Sequence, residues 1–159
     1  LTDPLVAISL RTIGLAAIAF LVPVILSFRF APGATSAEYM GLGYHLMMYA
    51  LVAKLPAAEW AKAAGYGWLT LDIMAGVLVI NRVPRTIADP VRLAGHVFAG
   101  LWFITVSLDG SAPLRILGAL AGILLFGYTL ASPYLSPVWL APASILILTW
   151  LSVLAWRNG

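Results

Sequence analysis

Six runs of apolar residues, each close to the length of a bilayer-spanning helix, take up nearly the whole chain: residues 5–28, 37–55, 57–80, 91–108, 114–131 and 138–156. A hydrocarbon core of about 30 Å is crossed by about 20 residues of helix. In that medium only a helix or a closed barrel satisfies its own backbone, and runs of this length are helical. The expected fold is therefore all-α, a polytopic membrane bundle of six transmembrane helices forming a single domain over residues 1–159. The third run is the least clear of the six. Its polar start, Glu59 and Lys62 followed by Gly65 and Gly67, reads as an interfacial turn feeding a shorter span from Tyr66. The first run is too long for a signal peptide and lacks a basic leader and a small-residue cleavage pattern, so it reads as a retained helix.

Charge content agrees. Of 159 residues, 62% are hydrophobic and 9% charged, against about a quarter charged in soluble domains. Nine Lys and Arg with six Asp and Glu cannot solvate a globule of this size, and so apolar a chain does not stay disordered. The absence of cysteine excludes disulfides, thiolate metal sites, c-type haem attachment and thiol catalysis. The net charge of +3 comes without any basic run, so the expected partner is the lipid bilayer and not nucleic acid. Arg29, Arg82, Arg85 and Arg92 fall on one side, and Lys54, Lys62, Arg115 and Arg157 on the other. The dense 82–92 cluster assigns its side to the cytoplasm.

Local signals punctuate the runs. Asp3-Pro4, Asp89-Pro90 and Ser136-Pro137 read as helix starts, with a side-chain cap followed by proline in the first helical position. Thr35 and Glu38 stand at capping-box spacing, and Pro23 and Pro142 are expected to bend their helices. Trp60, Trp139 and Trp156 lie where interfacial belts form. Gly118 and Gly122 make a GxxxG pair, suited to close packing within the bundle or to a homo-oligomer or membrane complex.

Four ionisable residues lie at membrane depth, where each is costly and turns towards the bundle interior: Arg11, His45, Asp72 and His96. At about 1.5 Å per residue, His45 and Asp72 lie about 12 Å and His96 about 9 Å from the same membrane face. Arg11 enters about 10 Å from the other face, leaving an axial gap of roughly 8 Å to Asp72, which an arginine can nearly close. Each has a glycine one turn away (Gly14, Gly41, Gly76 and Gly100), marking faces where helices approach closely. Two expectations follow. Arg11 pairs with Asp72, and His45, Asp72 and His96 form one polar cluster at the end of a pocket. Met47, Met48 and Tyr49, beside His45, either fill the core or line that pocket for a flat apolar ligand.

These residues support several functions. The first is a small intramembrane pocket that binds or carries a lipid-soluble or weakly polar molecule, with His45, Asp72, His96, Arg11 and Tyr49 as its ligand-binding residues. The second is a haem b subunit ligated by His45 and His96, with basic side chains nearby for the propionates. The third is an accessory subunit of a membrane complex whose polar groups only lock helices together. Asp72 with a histidine would also make an acid/base pair for an intramembrane enzyme, although no motif identifies a reaction or a protein-bound metal.

Overall fold

The computed structural model describes residues 8–157. These residues form six helices: α1 (Leu10–Phe30), α2 (Thr35–Lys54), α3 (Glu59–Ile80), α4 (Arg85–Leu108), α5 (Ala112–Ala131) and α6 (Ala141–Arg157). A single 3-10 turn, Pro137–Leu140, leads into α6. Counting that turn with α6, five of the helices are long and apolar enough to cross a membrane. The remaining one is α2, of similar length but interrupted by Glu38, Gly41, Gly43 and His45. The polar helix is thus the second and not, as the sequence suggests, the third: Glu59–Ile80 is one unbroken apolar helix. The protein is a multi-pass integral membrane protein with an all-helical bundle.

Each helix packs on its neighbours in sequence, and α6 packs back on α1 to close a ring. The connections at 31–34, 81–84 and 132–136 lie on one face, called here the Arg85 face. Those at 55–58 and 109–111 lie on the opposite, Lys54 face. Trp68, Trp102, Phe103 and Trp150 meet at the centre with ring centroids 4.9 to 6.0 Å apart. At about 1.5 Å per residue these rings fall roughly 8–14 Å from the Lys54 face, and they fill that half of the bundle.

Several helix starts differ from the sequence reading. Helix α1 begins after Ser9, whose hydroxyl accepts from the Thr12 N–H at 3.0 Å; Asp3-Pro4 lies outside the described residues. Helix α4 begins at Arg85, so Asp89-Pro90 is inside it and is not a start. The cause is the tightness of the preceding turn. Val83 N–H donates to Leu78 O and Arg82 N–H to Val79 O, the paired bonds of a Schellman stop, and Pro84 then opens the next helix. Arg82 occupies the left-handed position of this stop, with φ 62°, where glycine is usual. The Arg82→Gly variant is expected to be more stable by about 1 kcal/mol, read as a raised thermal midpoint in detergent. Thr35 and Glu38 do not form a capping box, because the helix starts one residue early, at an Ala34 cap, and the Glu38 side chain is engaged elsewhere. Ser136-Pro137 opens the 3-10 turn. Pro142 has no N–H to give Val138 an α-type bond, and the Ala141 N–H takes that carbonyl instead.

The GxxxG pair of α5 faces α4 of the same chain. A Cβ at Gly118 would stand 3.0 Å from Phe103 O and closer still to the Ser107 side chain, and one at Gly122 would stand 2.5 Å from Gly100 O. This face is consumed inside the bundle and does not serve as a surface for a homo-oligomer or a membrane complex. Trp150 donates from Nε1 to Ser107 Oγ at 3.1 Å, tying α6 to the same seam.

Candidate functional site

The half of the bundle nearer the Arg85 face is not filled by rings. It holds a cavity of about 540 Å³, within the range of small-molecule sites. Its apolar wall includes Leu21 and Val24 of α1, Leu93 of α4, Leu125 of α5 and Ile147 of α6. The aromatic cluster closes it towards the Lys54 face, which makes it blind. Beside the hydroxyls of Tyr44, Tyr128, Ser132 and Ser144, its charged and imidazole groups come from three consecutive helices, one stripe from each: Glu38, Gly41 and His45 on α2; Trp68, Asp72 and Gly76 on α3; Arg85, Asp89, Arg92 and His96 on α4. Within each stripe the residues recur at three- or four-residue spacing, so each stripe is one face of its helix.

At the floor, His45 Nε2 lies 3.1 Å from Asp72 Oδ2, and Trp68 Nε1 donates to the same oxygen at 2.6 Å. Asp72 is 4% exposed. Its other oxygen, Oδ1, has no hydrogen-bond partner and lies against Gly95 of α4, where a Cβ would come within 2.8 Å of it. His96, one residue on, lines the same cavity, and its Nδ1 is buried without a partner. The Tyr44 ring stands edge-on to His45 at 4.9 Å, with its hydroxyl buried and unpaired.

The mouth is ionic. Glu38 accepts from Arg92 at 2.5 Å and from Arg85 at 3.3 Å, and Arg85 also lies 3.7 Å from Asp89. Glu38 belongs to α2 and both arginines to α4, so these bonds reach across α3, which stands between those helices in the ring. Gly76, at the back of this bridge, leaves 3.7 Å between its would-be Cβ and Glu38 Oε2.

The structure brings His45, Asp72 and His96 to one cavity and leaves Arg11 and Tyr49 out of it. Arg11 is exposed near the Lys54 face, in a shallow hollow between α1 and α6 with Leu15, Ser152 and Trp156. Helix α2 separates α1 from α3 in the ring, and the carboxylate of Asp72 is engaged by His45, so the expected Arg11–Asp72 pair does not form. Tyr49 sits on the α2–α3 seam, stacked on Tyr66 at 5.6 Å with its hydroxyl 2.6 Å from Thr70 Oγ1. The inward line of α2 is Tyr44, Met48, Leu51 and Val52, and Met48 fills the core. The sequence reading missed Glu38, Tyr44 and Trp68, and offered Arg85 and Arg92, with Arg82, only as partners for haem propionates. A helix opening at Asp89-Pro90 leaves Arg85 outside it, whereas a helix starting at Arg85 aligns Arg85, Asp89, Arg92 and His96 on one face.

A haem held by both histidines does not fit this arrangement. His45 Nε2 is held by the Asp72 carboxylate and is not free for an iron shared with His96. Among the described residues no group of three or more His, Asp or Glu is placed to hold a metal ion. No protein-family model matches the chain, and no curated protein or solved structure is significantly similar to it.

Proposed function

We propose that this protein binds a small, largely apolar molecule in the blind cavity, with the polar end of that molecule on Tyr44, His45, Asp72 and His96. One observation carries the reading. Of the six buried side-chain polar atoms that lack a partner among the described residues, four belong to these four residues, and all four residues line this cavity. Buried polar atoms are nearly always paired by protein, water or ligand. Four unpaired ones around one apolar-walled space are what a ligand with a polar head would satisfy. The aromatic plug favours binding, or carriage by a moving bundle, over conduction through a fixed pore. The arginine-rich mouth faces the cytoplasm, by the bias of basic residues towards that side.

Gly41 supplies the test. It lines the cavity, and a Cβ placed on it meets no atom within 4 Å. Gly41→Leu therefore fills ligand space without displacing backbone. Wild-type protein purified in mild detergent should release an apolar small molecule on denaturation, detected by mass spectrometry of the organic extract. Gly41→Leu should melt at a similar temperature and release at least tenfold less. Identical extracts from the two proteins would sink the reading and leave the polar groups as helix locks.

A further inference from the structure

The charges of the cavity lining do not cancel. Glu38 and Asp89 are matched at the mouth by Arg85 and Arg92, through contacts of 2.5, 3.3 and 3.7 Å. Asp72, deeper in, has as polar partners the indole N–H of Trp68 and the imidazole of His45. A carboxylate only accepts, so the proton of His45 sits on Nε2. In the neutral ring Nδ1 is then an acceptor, whereas a doubly protonated ring would strand a donor at this buried, unpartnered position. With neutral imidazoles the lining carries three carboxylates and two guanidinium groups, a formal charge of −1. The floor thus leaves two acceptors unpaired, Asp72 Oδ1 and His45 Nδ1, beside the Tyr44 hydroxyl and His96 Nδ1, and one negative charge without a counter-ion.

A single chemical class answers both deficits. Resting on the ligand-pocket reading above, we propose that the occupant is a lipophilic amine in its ammonium form, seated with its N–H groups towards Asp72 and His45 and its apolar body along Leu21, Leu93, Leu125 and Ile147. An ammonium supplies up to three donors and brings the lining to neutrality. In this low-dielectric setting an uncompensated carboxylate is costly, and a bound cation relieves it. The rings of Tyr44 and Trp68, 6.5 Å apart beside the carboxylate, add aromatic faces of the kind that attract cations. An alcohol of the same shape would supply one donor and leave the charge. A carboxylate would double it.

Three rigid probes of nearly equal shape separate these cases: 1-adamantanamine, 1-adamantanol and 1-adamantanecarboxylate. Each is titrated calorimetrically into the full chain in lipid nanodiscs, with partition into empty discs subtracted. The amine should bind saturably at one site per chain and at least tenfold more tightly than the alcohol, and the carboxylate should not bind. Asp72→Asn keeps an oxygen for Trp68 and His45 to donate to, and should lower amine affinity to that of the alcohol. Should this variant fail to fold, the amine-to-alcohol ratio of the wild type still decides. An alcohol that binds as tightly as the amine, with both lost in Gly41→Leu, would overturn the cation assignment and leave the cavity reading standing. No saturable binding by any probe, or binding unchanged in Gly41→Leu, would overturn both.

Discussion

Gly122→Val is expected to cost the protein about 3 kcal/mol or more of stability. Helices α4 and α5 meet there backbone to backbone. A Cβ on Gly122 would come within 2.5 Å of Gly100 O and 2.7 Å of Ile104 Cγ1, and a Cβ on Gly100 within 2.7 Å of Gly122 O. A side chain in the way could rotate aside, but a carbonyl in a helix cannot, so the two helices must separate. Separation also loosens the neighbouring contact of Gly118 with Ser107, and with it the bond from Trp150 that ties in α6. Because α4 carries Arg92 and His96, the cavity wall moves with it. Equilibrium unfolding in mixed micelles measures the cost; a variant within about 0.5 kcal/mol of wild type would show that the seam is looser than this geometry allows.

Asp72→Leu is expected to cost about 3 kcal/mol, because it strands two buried N–H donors, on Trp68 and His45, that now share one oxygen. His45→Leu should cost less, since Trp68 still donates to the carboxylate. Combined, the two changes should cost at least about 1 kcal/mol less than their sum, the signature of a direct pair. Arg11→Leu is the control. Arg11 lies across the ring near the other face, and its effect should add to that of Asp72→Leu within about 0.5 kcal/mol. Coupling of Asp72 to Arg11, or its absence with His45, would contradict the site as described. The same cycle bears on Gly95, whose missing side chain is what lets α4 lie against Asp72 Oδ1.

How much of this could be read beforehand divides by the kind of information each feature needs. Counting residues along a helix locates depth, because the rise per residue is constant. That sufficed to place His45 and Asp72 at one level, and they are in contact. The same count treated Arg11 and Asp72 as reachable, since it measures distance along the membrane normal and says nothing of position around the ring. Glycine spacing behaved similarly. Gly100 does mark a close approach, with Gly122, and Gly14 meets Ala155, but Gly41 opens onto the cavity. Absence of a side chain shows that space was needed without showing whether a helix or a ligand takes it. Asp89-Pro90 misled for another reason: a cap followed by proline is a local preference, and the stop at Arg82 settled the helix start five residues earlier.

From sequence alone come the membrane environment, the all-helical class and the approximate helix limits, because run length and backbone satisfaction in lipid are properties of each segment by itself. Which stripes face one another was decided only in three dimensions. Closing α6 onto α1 and locking α4 to α5 through glycine sets the rotation of every helix about its axis. That rotation places Glu38, Tyr44, Asp72, Arg92 and His96 around one space and turns Arg11 away from it. The reason is physical: in lipid both faces of an apolar helix are nearly equivalent to the solvent, so hydrophobicity does not choose the inward face, and close packing with paired polar groups does.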